Sequence, residues 1–308
     1  MGSFRSFAGR PRSRADSADM PFFEVLVLAV VQGLAELLPV SSSAHVVVAE
    51  KLMGLDPSSP SMTLLLVMLH TGTMLAVIVY FFSRWRRTYF ESRIAFKSFA
   101  WHVILATALT GAIGEGIIKL LEKTAFRGSP NAEIEDLFGH LELIAPALAL
   151  VGVLIMIADI RTRKRDEADQ PRDELTAKQA AVIGVVQGLS LPFRGFSRSG
   201  STISAGMLAG AARVKAESFS FALAVVLTPA VVGRELLRLV RIQHLEGAGA
   251  ITTAALPSLL GAALSFLSGL LALKWLSKWL EAGRWYWFGI YCILAAILVA
   301  VLHRLIPQ

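Results

Sequence analysis

Two short polar stretches carry most of the chemistry this chain could offer to a reaction. The first runs Gln32-Gly33-Leu34-Ala35-Glu36-Leu37-Leu38-Pro39-Val40-Ser41-Ser42-Ser43-Ala44-His45. The second runs Arg194-Gly195-Phe196-Ser197-Arg198-Ser199-Gly200-Ser201-Thr202. Gln32 and Glu36 stand four residues apart, on one face of a helix. Ser42 and His45, three apart at a helix start, can approach one another as nucleophile and base. A capping serine beside an incidental histidine is the plainer reading of such a spacing when it stands alone. Arg198 offers a planar, permanently charged fork suited to phosphate. A helix is expected to begin after Gly200, capped by Ser199, Ser201 or Thr202, and its free N–H groups attract anions.

The elements that must carry these stretches are apolar. The chain has 308 residues, 55% of them hydrophobic, with a mean hydropathy of +0.60. Apolar runs long enough to cross a bilayer, about 18 residues or more, recur along it. The composition is that of an integral membrane protein rather than a soluble domain. The formal charge of +7 does not point to nucleic acid, because the basic residues cluster in short loops between spans. Positive-inside bias and contact with anionic lipid account for them there. The single cysteine, Cys292, excludes an intrachain disulfide and a cysteine metal cluster.

Residues 1–20 hold Arg5, Arg10, Arg12 and Arg14 without apolar periodicity and read as a disordered basic tail. Met20 could be the true start. A signal peptide fits poorly, since Gln32 and Glu36 interrupt the apolar stretch that follows. From residue 21 onward a single membrane domain is expected. Segment 22–38 is helical in pattern but short, Pro39 stops it, and Ser41-Ser42-Ser43 cap a second short helix over 44–53. Two half-length helices meeting at a polar break suggest a re-entrant hairpin, tolerated only against protein or a cavity. Full spans follow at 62–82, 101–120 and 143–160. The loop with Arg84, Arg86, Arg87, Arg93 and Lys97 and the loop with Arg161, Arg163, Lys164 and Arg165 are expected in the cytoplasm. The acidic loop with Glu122, Glu133, Glu135 and Asp136 falls outside.

The second half repeats this plan. Val30-Val31-Gln32-Gly33-Leu34 recurs as Val185-Val186-Gln187-Gly188-Leu189, each followed by a proline and a serine cluster. Short helices at 180–191 and 203–212 flank the second break, and spans follow at 218–240, 254–273 and 285–305. The fold expected is an all-α integral membrane protein made of an inverted repeat, 21–160 and 178–308. Each half is a re-entrant helical hairpin plus three transmembrane helices, and with three spans per half the second copy must be inverted. Glu36 on a lipid-facing helix would cost roughly 2.5–3.5 kcal/mol, so it should face a cavity with Arg198 as partner. His70, beside Thr71 and Gly72, either borders that cavity or is a structural histidine. The aromatic residues near Trp85, Trp279 and Trp287 read as an interfacial belt.

The two stretches resemble the signatures of the bacterial undecaprenyl-diphosphatases, Gln32 to His45 the first and Gly195 to Ile203 the second. The likeness extends over nearly the whole chain from Met20. It implies hydrolysis of undecaprenyl diphosphate to the monophosphate, recycling the lipid carrier for cell-wall synthesis in the bacterial inner membrane, with bacitracin resistance. It implies catalytic roles for Glu36, Ser42, His45 and Arg198. Substrate contacts are implied for Gln32, Ser41, Ser43, Gly195, Ser197, Ser199, Gly200 and Thr202. A divalent cation, Mg²⁺ or Ca²⁺, is implied at Glu36; membrane lipid is the surrounding partner, and a homodimer is compatible. Arg194 departs from the family pattern, standing where Pro is usual before Gly195. A lipid transporter is the rival class, since inverted repeats with broken helices are its usual architecture; the site, not the fold, must separate the two.

Overall fold

The structure is a computed structural model that describes residues 21–55, 59–125, 141–166, 175–193, 195–246 and 249–305. The basic tail, Glu133, Glu135, Asp136 and Arg194 lie outside them. The described residues form helices and no strands, in the order α1 (Phe22–Leu37), α2 (Ser42–Met53), α3 (Pro60–Tyr89), α4 (Arg93–Ala125), α5 (Leu141–Asp166), α6 (Ala177–Ser190), α7 (Arg198–Leu208), α8 (Arg213–Glu246), α9 (Gly249–Glu281) and α10 (Tyr286–Leu305).

Five of these helices contain segments long and apolar enough to cross a bilayer: Ser61–Tyr89, Arg93–Leu121, Leu143–Lys164, Ala254–Glu281 and Tyr286–Arg304. Each overlaps a span expected from the sequence, and the sixth expected span, 218–240, lies within α8. The chain is a multi-pass, all-helical membrane protein. Helices α1, α2, α6 and α7 have 16, 12, 14 and 11 residues. At about 1.5 Å per residue none reaches across a hydrocarbon core of about 30 Å.

Local chemistry explains where the short helices stop and start. Leu38 precedes Pro39 and is extended, with ψ 151°, because the proline ring disfavours the helical region for its predecessor. Ser41 then sits at φ 67°, the one non-glycine residue with positive φ among the described residues. It occupies the N-cap position of α2 without capping; its Oγ pairs with Ser43 Oγ at 3.3 Å instead. The second break differs from expectation. Helix α7 opens at Arg198, not beyond Gly200, and its cap is Ser197, whose Oγ accepts from the Gly200 N–H at 3.2 Å. Gly195 turns the chain there with φ 96°, and a Cβ on it would lie 2.6 Å from the Ile144 carbonyl oxygen. A reversal that early lets the helix begin before the glycine.

The most extensive packing is between α3 and α9, α5 and α10, α1 and α9, and α4 and α6. The glycines of the repeated Gln-Gly-Leu set two of them. A Cβ on Gly33 would lie 2.8 Å from the Ser265 carbonyl on α9, and one on Gly188 would lie 2.8 Å from the Thr110 carbonyl on α4. The principal core surrounds the two breaks and includes Leu37, Leu38, Val40, Phe81, Ile155, Ile203, Phe221, Trp285 and Cys292. Away from the breaks, the ends of α3, α5 and α9 gather around the start of α8. Arg84 reaches Glu217 at 3.3 Å and Glu281 at 3.6 Å. Arg163 pairs with Asp159 at 2.9 Å and donates to the Gly283 carbonyl. The end of α3 that carries Arg84 and the end of α5 that carries Arg163 therefore lie at the same end of the bundle, where Asp159 also meets Arg213 at 3.7 Å.

Candidate active site

The two breaks meet inside the bundle. Ser199 Oγ donates to the Leu38 carbonyl at 3.2 Å. A Cβ on Gly200 would stand 3.1 Å from the Pro39 ring and 3.1 Å from Ile155, so the absent side chain sets the approach of α7 to the first break. Cys292 Sγ on α10 donates to the Pro39 carbonyl at 3.2 Å. This junction presents Glu36 to Arg198, whose Nη2 donates to Oε1 at 2.7 Å. The other carboxylate oxygen accepts from Ser42 Oγ at 2.5 Å and from Gln32 Nε2 at 3.3 Å. The carboxylate thus has a guanidinium, a hydroxyl and an amide around it, which is how a membrane-embedded acid can remain charged.

A cavity of about 290 Å³ opens onto this carboxylate. Glu36, Ser41, Ser42, Ser43, Ser197, Arg198 and Ser199 line it, together with His70, Ser190, Phe193 and Phe196. It is faced by the starts of α2 and α7, both ends of positive helix dipole. Since only Gly200 of the first turn of α7 is capped by a side chain, N–H groups remain there for an anion. A guanidinium, two helix starts and a row of hydroxyls are groups that can hold a multiply charged anion. One carboxylate with a hydroxyl beside it also suits a hard divalent cation shared with phosphate oxygens. Among the described residues no group of three His, Cys, Asp or Glu could cage a cation with side chains alone.

The remaining sequence-predicted residues do not line the cavity. Gln32, 1% exposed, acts on the site through Glu36. Thr202 is buried, donating to the Arg198 carbonyl at 2.7 Å and meeting Ser220 Oγ on α8 at 2.5 Å. Gly195 and Gly200 shape the backbone. His45 does not turn toward Ser42. Its Nδ1 lies 2.7 Å from the Ser41 carbonyl and its Nε2 2.6 Å from the Tyr291 hydroxyl on α10. One turn of helix separates Ser42 from His45, and the ring follows the helix surface to α10 instead. The histidine at the acid is His70, whose Nε2 stands 3.8 Å from Glu36 Oε2. Its only sequence signal was a polar residue beside threonine and glycine inside a span.

Comparison with known proteins places the chain among relatives of known name. Residues 25–298 match the family model described as bacitracin resistance protein BacA. The chain is 56% identical over 277 residues to "Undecaprenyl-diphosphatase 2" of Acinetobacter baylyi, covering 89% of this chain and 95% of that protein. It is 36% identical over 289 residues to "Undecaprenyl-diphosphatase 1" of Burkholderia pseudomallei, with 90% and 95% covered. It is 34% identical over 300 residues to "Undecaprenyl-diphosphatase 2" of Burkholderia ambifaria, with 94% and 99% covered.

Proposed function

We propose, from the premise that this chain belongs to the bacitracin resistance protein BacA family, that it hydrolyses undecaprenyl diphosphate to undecaprenyl phosphate and inorganic phosphate. The reaction recycles the lipid carrier of cell-wall synthesis at the bacterial inner membrane. The observation that carries the reading is the meeting of Glu36, Ser42 and Arg198 at one cavity, within hydrogen-bond distance of one carboxylate.

In this reading Arg198 and the N–H groups at the starts of α2 and α7 hold the terminal phosphate, with Ser41, Ser43, Ser197 and Ser199 around it. Ser42 Oγ, or a water held on it, attacks phosphorus in line. The proton of the attacking group passes onto Glu36 Oε2, and the bond to the bridging oxygen breaks with its electrons leaving on undecaprenyl phosphate. Where Ser42 attacks, a water deprotonated by Glu36 then hydrolyses the phosphoserine, freeing Ser42 and inorganic phosphate. Little covalent work falls to the protein in such transfers; positioning and charge stabilisation dominate. Glu36, with the substrate's own oxygens, would hold Mg²⁺ or Ca²⁺, which when bound supplies neutralisation of phosphate charge. Gln32 orients Glu36, and His45 serves through Ser41, whose carbonyl it holds in the strained turn. Gly195, Gly200 and Thr202 fix the second break.

The architecture we attach to this function is an inverted repeat of two re-entrant hairpins, 21–160 and 178–308. Matched packing supports it: α1 lies on α9 as its counterpart α6 lies on α4, through Gly33 and Gly188 at the same 2.8 Å approach. The prenyl tail leaves the cavity along the apolar space between α3 and α8, where Leu37, Met74, Val77, Phe221 and Val225 adjoin Glu36.

Phosphate release from undecaprenyl diphosphate by the purified protein tests the reading. Wild-type protein releases phosphate, and Glu36→Gln loses turnover while still binding the lipid. Binding without phosphate release by the wild type would instead leave a lipid carrier.

A further inference from the structure

We propose that Tyr291, on α10, is a positioning residue of the phosphatase reaction. Its hydroxyl fixes the ring of His45, the ring holds the Ser41 carbonyl, and that turn sets Ser42 Oγ on Glu36. The inference rests on the phosphatase reading and adds to it a residue outside both polar stretches.

The partners alone assign the hydrogens along this path. His45 Nδ1 lies 2.7 Å from the Ser41 carbonyl, and a carbonyl only accepts, so Nδ1 carries the hydrogen. In the neutral ring Nε2 is then a bare acceptor, and the Tyr291 hydroxyl at 2.6 Å donates to it. The tyrosine thereby selects the one neutral tautomer that can hold the carbonyl. The two rings also stack, with centroids 5.7 Å apart and planes at 16°. Neither His45 nor Tyr291 lines the cavity at Glu36, so both act on the reaction through Ser41.

Ser41 needs such a hold. It has φ 67° and ψ 93°, a conformation that persists only where the surroundings over-determine it. Its own side chain does not cap α2, and the His45 backbone N–H reaches its carbonyl only at 3.4 Å. The imidazole N–H, at 2.7 Å, is the shorter and stronger grip on that carbonyl. The next residue is Ser42, whose Oγ donates to Glu36 Oε2 at 2.5 Å, so a rotation at Ser41 moves the hydroxyl off the acid.

Helix α10 is a firm base for this strut. A Cβ on Gly289 would stand 2.7 Å from the Gly152 carbonyl oxygen, and one on Gly152 2.8 Å from the Gly289 carbonyl oxygen. Helices α10 and α5 therefore touch backbone to backbone. Ala44, in the first turn of α2, packs into the same corner with Ile144, Leu148, Ala296 and Val299. Cys292, the neighbour of Tyr291, donates to the Pro39 carbonyl at 3.2 Å. One turn of α10 thus grips the first break on both sides of Val40, at Pro39 directly and at Ser41 through His45.

The test uses the full-length protein in detergent, its histidine rings labelled with ¹⁵N, and undecaprenyl diphosphate as substrate. Tyr291→Phe keeps the stacked ring and removes the hydroxyl alone. Its kcat is expected to fall about 10- to 100-fold, as for a small misplacement at the reacting group, with KM and the unfolding midpoint unchanged. His45→Asn puts an amide donor where the Nδ1–H stood and leaves Tyr291 without its acceptor. Adding Tyr291→Phe to it should change kcat no further, since the path is already cut. In the ¹⁵N spectrum, the ring signals that vanish in His45→Asn are expected to show the neutral Nδ1–H tautomer. Their bare nitrogen should move downfield in Tyr291→Phe. Normal kcat in Tyr291→Phe, a change in KM alone, or a full further loss in the double variant overturns the proposal. So does a His45 ring with its hydrogen on Nε2, a result that needs neither turnover nor a variant of Tyr291. A wild type that releases no phosphate removes the phosphatase reading instead, while the ring signals still decide whether Tyr291 holds His45.

Discussion

Two acid–arginine pairs in this bundle have nearly the same composition and opposite surroundings. Glu36 and Arg198 meet at 2.7 Å where two helix breaks face a cavity. Glu217 and Arg84 meet at 3.3 Å at the end of the bundle, between α3 and α8. Glu217 is fully buried and also accepts from Ser277 on α9 at 2.5 Å, while the Arg84 guanidinium lies over the Phe81 ring. Every partner of the second pair is a side chain of a packed helix, and the pair lies at the bundle end, not among the residues lining the cavity. The first pair keeps hydroxyls and helix starts aimed into a space a ligand can enter. An intramembrane ion pair is therefore not a functional site by its charges alone. What distinguishes the site is that its neighbours are donors left over from broken helices.

Breaking each pair in turn should separate those roles. Arg198→Ala carries the largest expected effect: kcat for phosphate release falls on the order of 10³-fold or more, as when an arginine clamp is removed from phosphoryl transfer. Its unfolding midpoint stays near that of the wild type, because Ser42, Gln32 and water remain to serve Glu36. A variant with near-normal kcat would put the two pairs on the same footing. Arg84→Ala should do the reverse. It leaves Glu217 buried without its cation, costing about 3–5 kcal/mol of stability, while kcat of the folded fraction is retained; loss of kcat at unchanged stability would erase the distinction. The smallest change probes the junction itself. Ser199→Ala removes the hydrogen bond to the Leu38 carbonyl and should cost about 1 kcal/mol, read by thermal unfolding, with a larger loss in kcat than in stability if the two breaks are held in register through it.

Much of this was legible in the chain. Pro39 and the serines after it marked the first break, since a residue before proline leaves the helical region and the next helix must start afresh. The second Gln-Gly-Leu, followed by proline and serines, marked a second break, and the cost of an acid in lipid called for a partner such as Arg198. Other features were not readable. Serine is a good cap wherever it stands, so sequence alone gave no reason to choose Ser197 over Ser199, and none to expect Ser41 to sit at φ 67° without capping. Nor could helical spacing show that His45 points to α10. Three residues of separation permits a contact with Ser42 but does not compel it, and Tyr291 lies 246 residues away.

The sequence by itself determined that this is a membrane protein of long apolar helices interrupted twice by polar breaks, and that the breaks carry an acid and a guanidinium. Those facts follow from local terms, hydropathy over a helix length and the backbone limits that proline and glycine impose. Only the tertiary structure decided which histidine stands beside the acid, which serine caps which helix, and which of two ion pairs borders the cavity between the breaks. These depend on how α3, α8, α9 and α10 close around the breaks, and such contacts join residues too far apart in the chain for any local preference to specify.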